Sequence, residues 1–296
     1  MRNIMLFIWL LAPALSNAEP LQVFVSVLPL KTFVEKIGGN SVTVQTMVQP
    51  GDSPHTYDPT PKQISALAKT DLYVLTGVPF EKVWMERVRS ANPHMKVLDA
   101  RVGIDLRTIE HHEHETVHNG QQQDKAHDPG HFNDSERDPH IWTSPPLVKQ
   151  MAKNIRDMLT ELDPAQGQAY EDNYAAFAAE LDTLDRDIRA LLKEVNNRKF
   201  MVFHPAWGYF ADTYDLIQIP IEQEGKEPGA RALTELIKQA KRENVKVIFV
   251  QPQFNKKSAE QVASAIGGRV VAIDPLSPDY ATNLRKMAQL IAEASQ

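Results

Sequence analysis

The sequence predicts an α/β protein with two lobes, each a mainly parallel sheet flanked by helices, joined by one long backbone helix. Two observations predict this fold. Short runs rich in valine, isoleucine and phenylalanine alternate with helical segments in both halves of the 296-residue chain, which is typical of a parallel sheet covered on both faces. Between the halves lies the longest helical pattern, which would span about 50 Å at 1.5 Å per residue. A helix of that length is longer than one small domain is wide.

The first 18 residues predict an export signal. Arg2 precedes an apolar run of about twelve residues, and Ser16-Asn17-Ala18 supplies the small residues that signal peptidase accepts. No later apolar run reaches the roughly 20 residues that a transmembrane helix needs. The chain has no cysteine, so neither a lipid-anchored cysteine nor a disulfide can form. We therefore expect a soluble periplasmic protein that begins near Glu19, with no lipid anchor and no direct insertion into the membrane.

Residues 19–162 are predicted to form the first lobe. Its predicted strands are Gln22 to Leu28, Ser41 to Val48, Asp71 to Thr76 and Lys96 to Leu98, and its predicted helices cover 29–38, Lys62 to Thr70, Phe80 to Ser90 and Leu147 to Leu162. From Glu110 to Asp138 the periodicity vanishes, and acidic residues, glutamine, glycine and histidine dominate. That composition predicts a mobile loop rather than a domain.

Residues 163–197 are predicted to form the linking helix. Its apolar positions recur at alternating spacings of four and three, at Tyr170, Tyr174, Phe177, Leu181, Leu184, Ile188, Leu191 and Val195. The heptad run is single and its flanks are α/β, which favours a strut within one chain over a coiled coil between chains. We therefore expect a monomer.

Residues 198–296 are predicted to form the second lobe, which repeats the alternation of the first. Its predicted strands are Phe200 to Phe203, Val245 to Val250 and Arg269 to Ile273, and its predicted helices are Tyr209 to Tyr214, Ala230 to Glu243, Ser258 to Ile266 and a closing helix from Tyr280. Two α/β lobes bridged by one helix would make a clamp.

The charge balance excludes some partners. The full chain has 32 basic and 38 acidic residues, and removal of the signal takes away Arg2, which leaves a mature chain of net charge −7. Such a balance disfavours nucleic acid and anionic lipid as partners, and it is compatible with a cation as the ligand.

Three of the ten histidines stand singly beside prolines and aromatic residues. His55 lies among four prolines in residues 50–61, which would hold its imidazole at a small entropic cost. His140 precedes a predicted helix, and His204 directly follows a predicted strand. Ligands of open α/β sheets collect beyond the carboxyl ends of strands. These histidines, with Asp274 at the end of the last strand, are therefore the candidate ligands of one metal site.

Each candidate also has a simpler interpretation. His55 could be incidental in a rigid surface turn, His140 could pack at a helix entry, and Asp274 could cap a turn. His204 is the strongest candidate ligand, because a histidine at the exit of a buried strand needs partners for both ring nitrogens. A metal and a hydrogen-bond acceptor behind the ring supply them.

The other histidines divide into one isolated residue and one cluster. His94 follows an Asn-Pro pair away from every motif, which indicates a surface residue. The clustered histidines lie in the predicted acidic loop, at His111, His112, His114, His118, His127 and His131. We expect them to bind zinc weakly and to raise its local concentration; a merely solvating tract is the alternative.

Taken together, several segments resemble the cluster A-I, or ZnuA/TroA-like, periplasmic metal-binding proteins of ABC importers. They are the signal peptide, Pro50-Gly51 through His55 to Pro61, Asp138-Pro139-His140-Ile141-Trp142, Phe203-His204-Pro205-Ala206-Trp207-Gly208-Tyr209-Phe210 and Ile273-Asp274-Pro275. The resemblance runs the length of the mature chain. It implies two lobes that clasp one zinc or manganese ion, an ABC permease in the inner membrane as partner, and a His- and acid-rich insertion before the second ligand. Position by position, it implies His55, His140 and His204 as the histidine ligands and Asp274 as the carboxylate found in part of the family.

The donor set favours zinc over manganese. Three neutral imidazoles and one carboxylate suit a four-coordinate zinc site, whereas manganese prefers more oxygen ligands. In relatives that carry manganese, the resemblance places a second carboxylate where His204 stands here. Zinc-binding members that lack the aspartate use water or a glutamate, so Glu222, Glu224 and Glu227 are reserve candidates. A solvated acidic loop is the simpler interpretation of these three.

The function predicted from these residues is capture of one zinc ion and its delivery to an ABC importer, without enzyme activity. Two alternatives stay open. The first is a free-standing periplasmic zinc buffer or chaperone, and only the family resemblance favours an importer subunit over it. An exported zinc hydrolase would keep an open water position at the metal, but the sequence has no H-E-x-x-H run and no obvious general base fixed beside a ligand.

Overall fold

The computed structural model of the protein describes residues 19–109, 137–222 and 226–294. The predicted signal segment, residues 1–18, and nearly all of the predicted acidic loop lie outside the described residues. None of the described helices is both long enough and apolar enough to cross a membrane.

The first lobe is built on a sheet of four parallel strands. In chain order its elements are β1 (Leu21–Val25), α1 (Leu28–Gly38), β2 (Val42–Thr46), α2 (Pro61–Leu67), β3 (Leu72–Leu75), α3 (Pro79–Ala91), β4 (Lys96–Asp99) and α4 (Pro145–Leu162). The strands lie in the order β2-β1-β3-β4. The two central strands, β1 and β3, have the most buried residues, as expected for continuous apolar runs covered on both faces.

The second lobe is also built on four parallel strands, in the order β6-β5-β7-β8. Its elements are β5 (Lys199–Val202), α6 (Gly208–Thr213), β6 (Ile217–Pro220), α7 (Ala230–Arg242), β7 (Val247–Val250), α8 (Lys257–Ile266), β8 (Arg269–Ala272) and α9 (Tyr280–Ala294). The sequence analysis missed β6, which is four residues long and ends in a proline. A proline is tolerated there because β6 is an edge strand.

The long helix α5 (Gly167–Leu192) connects the two lobes. Its 26 residues correspond to about 39 Å, less than predicted, because Pro164–Gln166 forms a separate 3-10 turn before it and the helix already ends at Leu192. The helix packs against α1 and α4 of the first lobe and against α9 of the second. Phe33 marks the junction, since its ring contacts both Phe177 of α5 and Tyr280 of α9.

Two hydrophobic clusters hold this arrangement together. The larger one runs from the first sheet through α5 and α9 to one face of the second sheet, where Phe200 and Phe249 contribute. The smaller one lies on the opposite face, where Met201 and Ile248 pack under α7 and α8. Successive strand residues point to opposite faces, so the short second sheet serves both clusters. The predicted two-lobe α/β fold is confirmed, and one continuous core joins its lobes.

Candidate metal site

His204 is fixed at the carboxyl end of the central strand β5. Its backbone is held by Gln251, whose Oε1 accepts from the His204 N–H at 3.2 Å and whose Nε2 donates to the His204 carbonyl at 2.7 Å. The His204 Nδ1 lies 2.5 Å from Glu222 Oε1, and Phe254 stacks on the ring with a centroid distance of 5.0 Å. Because a carboxylate only accepts, Nδ1 carries the proton, and Nε2 presents its lone pair to the cleft.

His140 is fixed just before the 3-10 turn that leads into α4. Asp138 Oδ1 accepts from both the backbone N–H of His140 at 2.9 Å and its Nδ1–H at 2.7 Å. The indole of Trp142 packs edge-on against the ring, and its Nε1 donates to the Pro275 carbonyl of the second lobe. His140 therefore packs at a helix entry, as the simpler interpretation proposed, and also directs Nε2 into the cleft.

His55 lies in the proline-rich loop after β2. Gly51 allows the chain to turn there with φ of +91°. Pro54 and Tyr57, which flank His55, are buried. The Pro54 carbonyl accepts from the Phe80 N–H at the start of α3, and the Tyr57 ring packs edge-on against Phe80. These contacts anchor both sides of His55, which is itself exposed.

The three histidines converge across the lobes. His204 Nε2 lies 3.0 Å from His55 Nε2 and 3.4 Å from His140 Nε2, and all three ligand atoms lie within 4.8 Å of one another. Tetrahedral zinc with Zn–N bonds of 2.0–2.1 Å would separate its nitrogen ligands by roughly 3.3 Å. Both distances from His204 Nε2 are therefore close to this spacing, and the third pair, between His55 and His140, lies within 4.8 Å. The three histidines border a cavity of about 20 Å³, enough for one ion or one water.

The electrostatics of the site favour the neutral form of the His55 and His204 imidazoles. Although part of the His55 side chain is exposed, the loss of water around its ring, followed by the neighbouring His204 and His140 rings, lowers the pKa of His55 to about 3. Burial also lowers the pKa of His204, and this outweighs the opposing effect of the hydrogen bond that its Nδ1 donates to Glu222. For Asp138, burial alone would raise the pKa, but His140 and Arg107 bring it below its usual value. Neutral rings at His55 and His204, with an ionised Asp138 nearby, suit cation binding, because protons then compete less for the ring nitrogen atoms.

Asp274 lies beside this group but not within the three-residue cluster that the described residues form. Its Oδ1 accepts from Gln253 Nε2 at 3.0 Å and from the Leu276 N–H at 2.9 Å. The second of these bonds is the turn cap considered as its simpler interpretation. Its role as fourth ligand stays a prediction.

The remaining candidates separate by position. Glu222 is buried, at 6% exposure, and not part of a solvated loop; the interpretation of it as a solvated acid was wrong. It sits behind His204 because it follows β6, the strand that the sequence analysis missed. Glu227 and His94 are exposed. Glu224 and the loop histidines His111, His112, His114, His118, His127 and His131 lie outside the described residues.

The residues that orient the candidate ligands were not predicted from the sequence. Asp138 was quoted only as part of a motif, although an acidic residue two positions before a candidate histidine ligand can reach its Nδ1. Gln251 immediately follows β7, which pairs with β5, the strand that precedes His204, so both residues lie at the same edge of the sheet. The spacing of Asp138 is readable from the sequence, whereas the position of Gln251 is readable only after the strand order is known.

Comparison with known proteins gives one family. The family model described as zinc-uptake complex component A, periplasmic, matches residues 23–294. The high-affinity zinc uptake system protein ZnuA of Bacillus subtilis (strain 168) is 31% identical over 265 residues, which cover 88% of this chain and 80% of that protein.

Two solved structures are similar over most of the chain. A crystal structure of ZnuA superposes with a TM-score of 0.83 at 41% identity, covering 94% of this chain and all of that one. A zinc-bound ZnuA mutant lacking its residues 138–173 gives a TM-score of 0.83 and 41% identity, covering 94% of this chain and 99% of that one.

Proposed function

The chain belongs to the ZnuA family of periplasmic zinc-uptake components, and we propose that it captures one zinc ion between its lobes and delivers it to an ABC-type importer in the inner membrane. The observation that carries this proposal is the convergence of three imidazole Nε2 atoms from separate parts of the fold, with two of the rings held by buried carboxylates. The zinc-bound structure of a 41% identical relative supports the choice of metal.

His55, His140 and His204 are the proposed ligands. Three nitrogen donors favour zinc over manganese, which prefers oxygen. Two ligands come from the first lobe and one from the second, so the ion itself ties the lobes together. Release would follow when the permease draws the lobes apart and breaks the ligand shell. The continuous core around α5 limits this motion to a small tilt rather than a wide hinge closure.

A competition titration tests the capture step. Metal-free protein lacking residues 116–134, which removes three of the loop histidines, is titrated with zinc against a chelator of known affinity. We expect one tight equivalent in this protein and none in its His204→Ala variant, while His94→Ala serves as the matched control and keeps the site. Absence of a tight equivalent would mean that the fold is shared with the family but the zinc function is not.

A second measurement tests the delivery step. Purified permease in detergent is mixed with zinc-loaded and zinc-free protein, and complex formation and zinc transfer are measured. Transfer to the permease supports an importer subunit. A tight zinc site with neither binding nor transfer would instead indicate a free-standing periplasmic buffer.

The fourth ligand has its own test. If Asp274 coordinates zinc, its carboxylate must first leave Gln253 and the Leu276 N–H. On that prediction Asp274→Asn raises the zinc Kd at least about tenfold, the scale of the loss of a metal-site partner, and alters the visible spectrum of the cobalt-substituted protein. An unchanged Kd and spectrum would give the fourth position to water.

A further inference from the structure

Arg107 joins the two lobes directly behind the metal site. Its Nη1 donates to Asp138 Oδ2 at 3.0 Å, and its Nε donates to Asp212 Oδ2 of α6 at 2.9 Å. The other oxygen of Asp138 holds His140. One side chain therefore connects the carboxylate behind a first-lobe ligand to a helix of the second lobe.

Tyr209 adds a second connection at the same place. Its hydroxyl accepts from the Arg107 backbone N–H at 3.1 Å and donates to the Asp138 carbonyl at 3.0 Å. The guanidinium carbon of Arg107 lies 5.9 Å from the centre of its ring. The backbone is fixed as well, because the Asp138 N–H donates to the Arg107 carbonyl and Thr108 pairs with Arg137.

Gly208 explains how α6 comes so close. A Cβ added at Gly208 would lie 1.6 Å from Arg107 Nη1 and 2.7 Å from Asp138 Oδ2. The start of α6 therefore rests directly on the Arg107–Asp138 pair. Gly208 is four residues after His204, and Asp138 holds His140. The same contact therefore connects the surroundings of one proposed ligand in each lobe.

Burial makes this contact more than a surface ion pair. The side chain of Arg107 is 14% exposed and that of Asp138 is 1% exposed, whereas Asp212 is 57% exposed. A buried carboxylate that loses its cation is strongly disfavoured, and an exposed pair contributes little. The buried ion pair with Asp138 therefore supports His140, and the exposed ion pair with Asp212 depends on the position of the second lobe.

We propose that Arg107 is a positioning residue that couples lobe closure to zinc retention. It holds the Asp138 carboxylate against His140 as long as α6 remains docked, and lobe separation weakens that hold when it removes Asp212 and Tyr209 from Arg107. This inference rests on the proposed zinc capture. It assigns to one side chain the link between movement of the lobes and release of the ion.

A coupling experiment tests the proposal. Zinc dissociation into excess chelator is measured for the full chain with Arg107→Gln, with Asp212→Asn and with both. Arg285→Gln is the matched control, because Arg285 also joins helices of the two halves, through Asp187 of α5, but lies away from the site. The zinc-free thermal midpoint of each variant is measured in parallel.

We expect Arg107→Gln to release zinc about 10- to 100-fold faster, the range for loss of a partner behind a metal ligand. Asp212→Asn alone should release it about two- to fivefold faster, as for an exposed ion pair, and should add nothing when Arg107 is already glutamine. Arg285→Gln should match the wild type. A purely structural role would change thermal midpoints without this non-additivity.

Two results would overturn the coupling. One is zinc release from Arg107→Gln at the rate of the Arg285→Gln control, and the other is an Asp212→Asn effect that is equal in both backgrounds. If Arg107→Gln does not fold, Arg107→Lys replaces it, because lysine restores the charge beside Asp138 but cannot bridge to Asp212; an undiminished Asp212→Asn effect in that background would also overturn it. Failure of the proposed function is distinct, since wild-type protein would then hold no zinc tightly.

Discussion

The two buried histidines and the exposed histidine of the site are held in different ways. His140 and His204 each have Nδ1 fixed by a buried carboxylate, Asp138 and Glu222 respectively. Within the described residues, the ring of His55 has no carboxylate partner, and its position depends on the packing of the loop on either side. The ring lies against its neighbours, at 4.5 Å from the centre of His204 and 6.3 Å from that of His140.

This difference separates a preorganised pair from an adaptable third ligand. A carboxylate behind an imidazole fixes both the tautomer and the ring orientation, so little order remains to be gained when metal binds. A ring held only by its loop must lose conformational freedom on binding, which reduces its net contribution. We infer that zinc meets His140 and His204 as a ready pair and that His55 completes the shell.

The largest expected effect comes from removing one of each kind of ligand. His140→Ala should raise the zinc Kd by more than about 100-fold, since loss of an outer partner alone costs 10- to 100-fold. It should also lower the zinc-free thermal midpoint, because Asp138 loses its buried donor. His55→Ala should raise Kd by about tenfold and leave the zinc-free midpoint unchanged, because His55 is exposed. Competition titration and thermal unfolding measure both, with His94→Ala as control; equal losses for the two ligands would remove the distinction.

A smaller effect should follow from removing the charge behind His204. Glu222→Gln keeps the size of the side chain but not its negative charge, so the Nδ1 hydrogen bond becomes a neutral one and the ring becomes a weaker donor to the metal. We expect the zinc Kd to rise about 10- to 100-fold. Glu227→Gln is the matched control, because Glu227 lies nearby in sequence and is exposed. Equal zinc Kd values for the two variants would mean that the Glu222 charge does not strengthen metal binding by His204.

Much of the fold was readable from the sequence because its signals are local. Buried parallel strands are continuous apolar runs, and proline marks the start of several helices, so both sheets and α5 were predicted. Strand β6 was missed because four residues with a terminal proline give a weak strand pattern. That omission hid the burial of Glu222, which looked like part of a solvated acidic loop.

The candidate ligands were also readable, whereas their support was not. His55, His140 and His204 each stand at a strand exit or helix entry, which is a position in sequence. The partners Glu222 and Gln251 reach His204 only through the order of strands in the second sheet. For Asp274, the position after β8 was predicted correctly. The direction of its side chain could not be predicted, because it depends on the hydrogen bond from Gln253.

The smallest expected effect concerns acid. A lowered pKa means that the neutral ring is favoured in the folded protein, so protons displace zinc only at a pH below the ordinary range. Two histidines with ordinary pKa values near 6.5 would each weaken binding about tenfold at pH 5.5, and about 100-fold together. Because the pKa of His55 is lowered to about 3 and that of His204 is also lowered, we expect these two rings together to add less than about tenfold to the rise in zinc Kd between pH 7.5 and 5.5. A contribution of about 100-fold from these two rings would mean that both titrate like free histidines. Imidazole NMR titration of the zinc-free protein identifies which ring has a pKa that differs from this expectation. If His55 alone titrates near 6.5, its loop releases it from the other two rings before zinc arrives, and the contrast between the held pair and the third ligand becomes sharper.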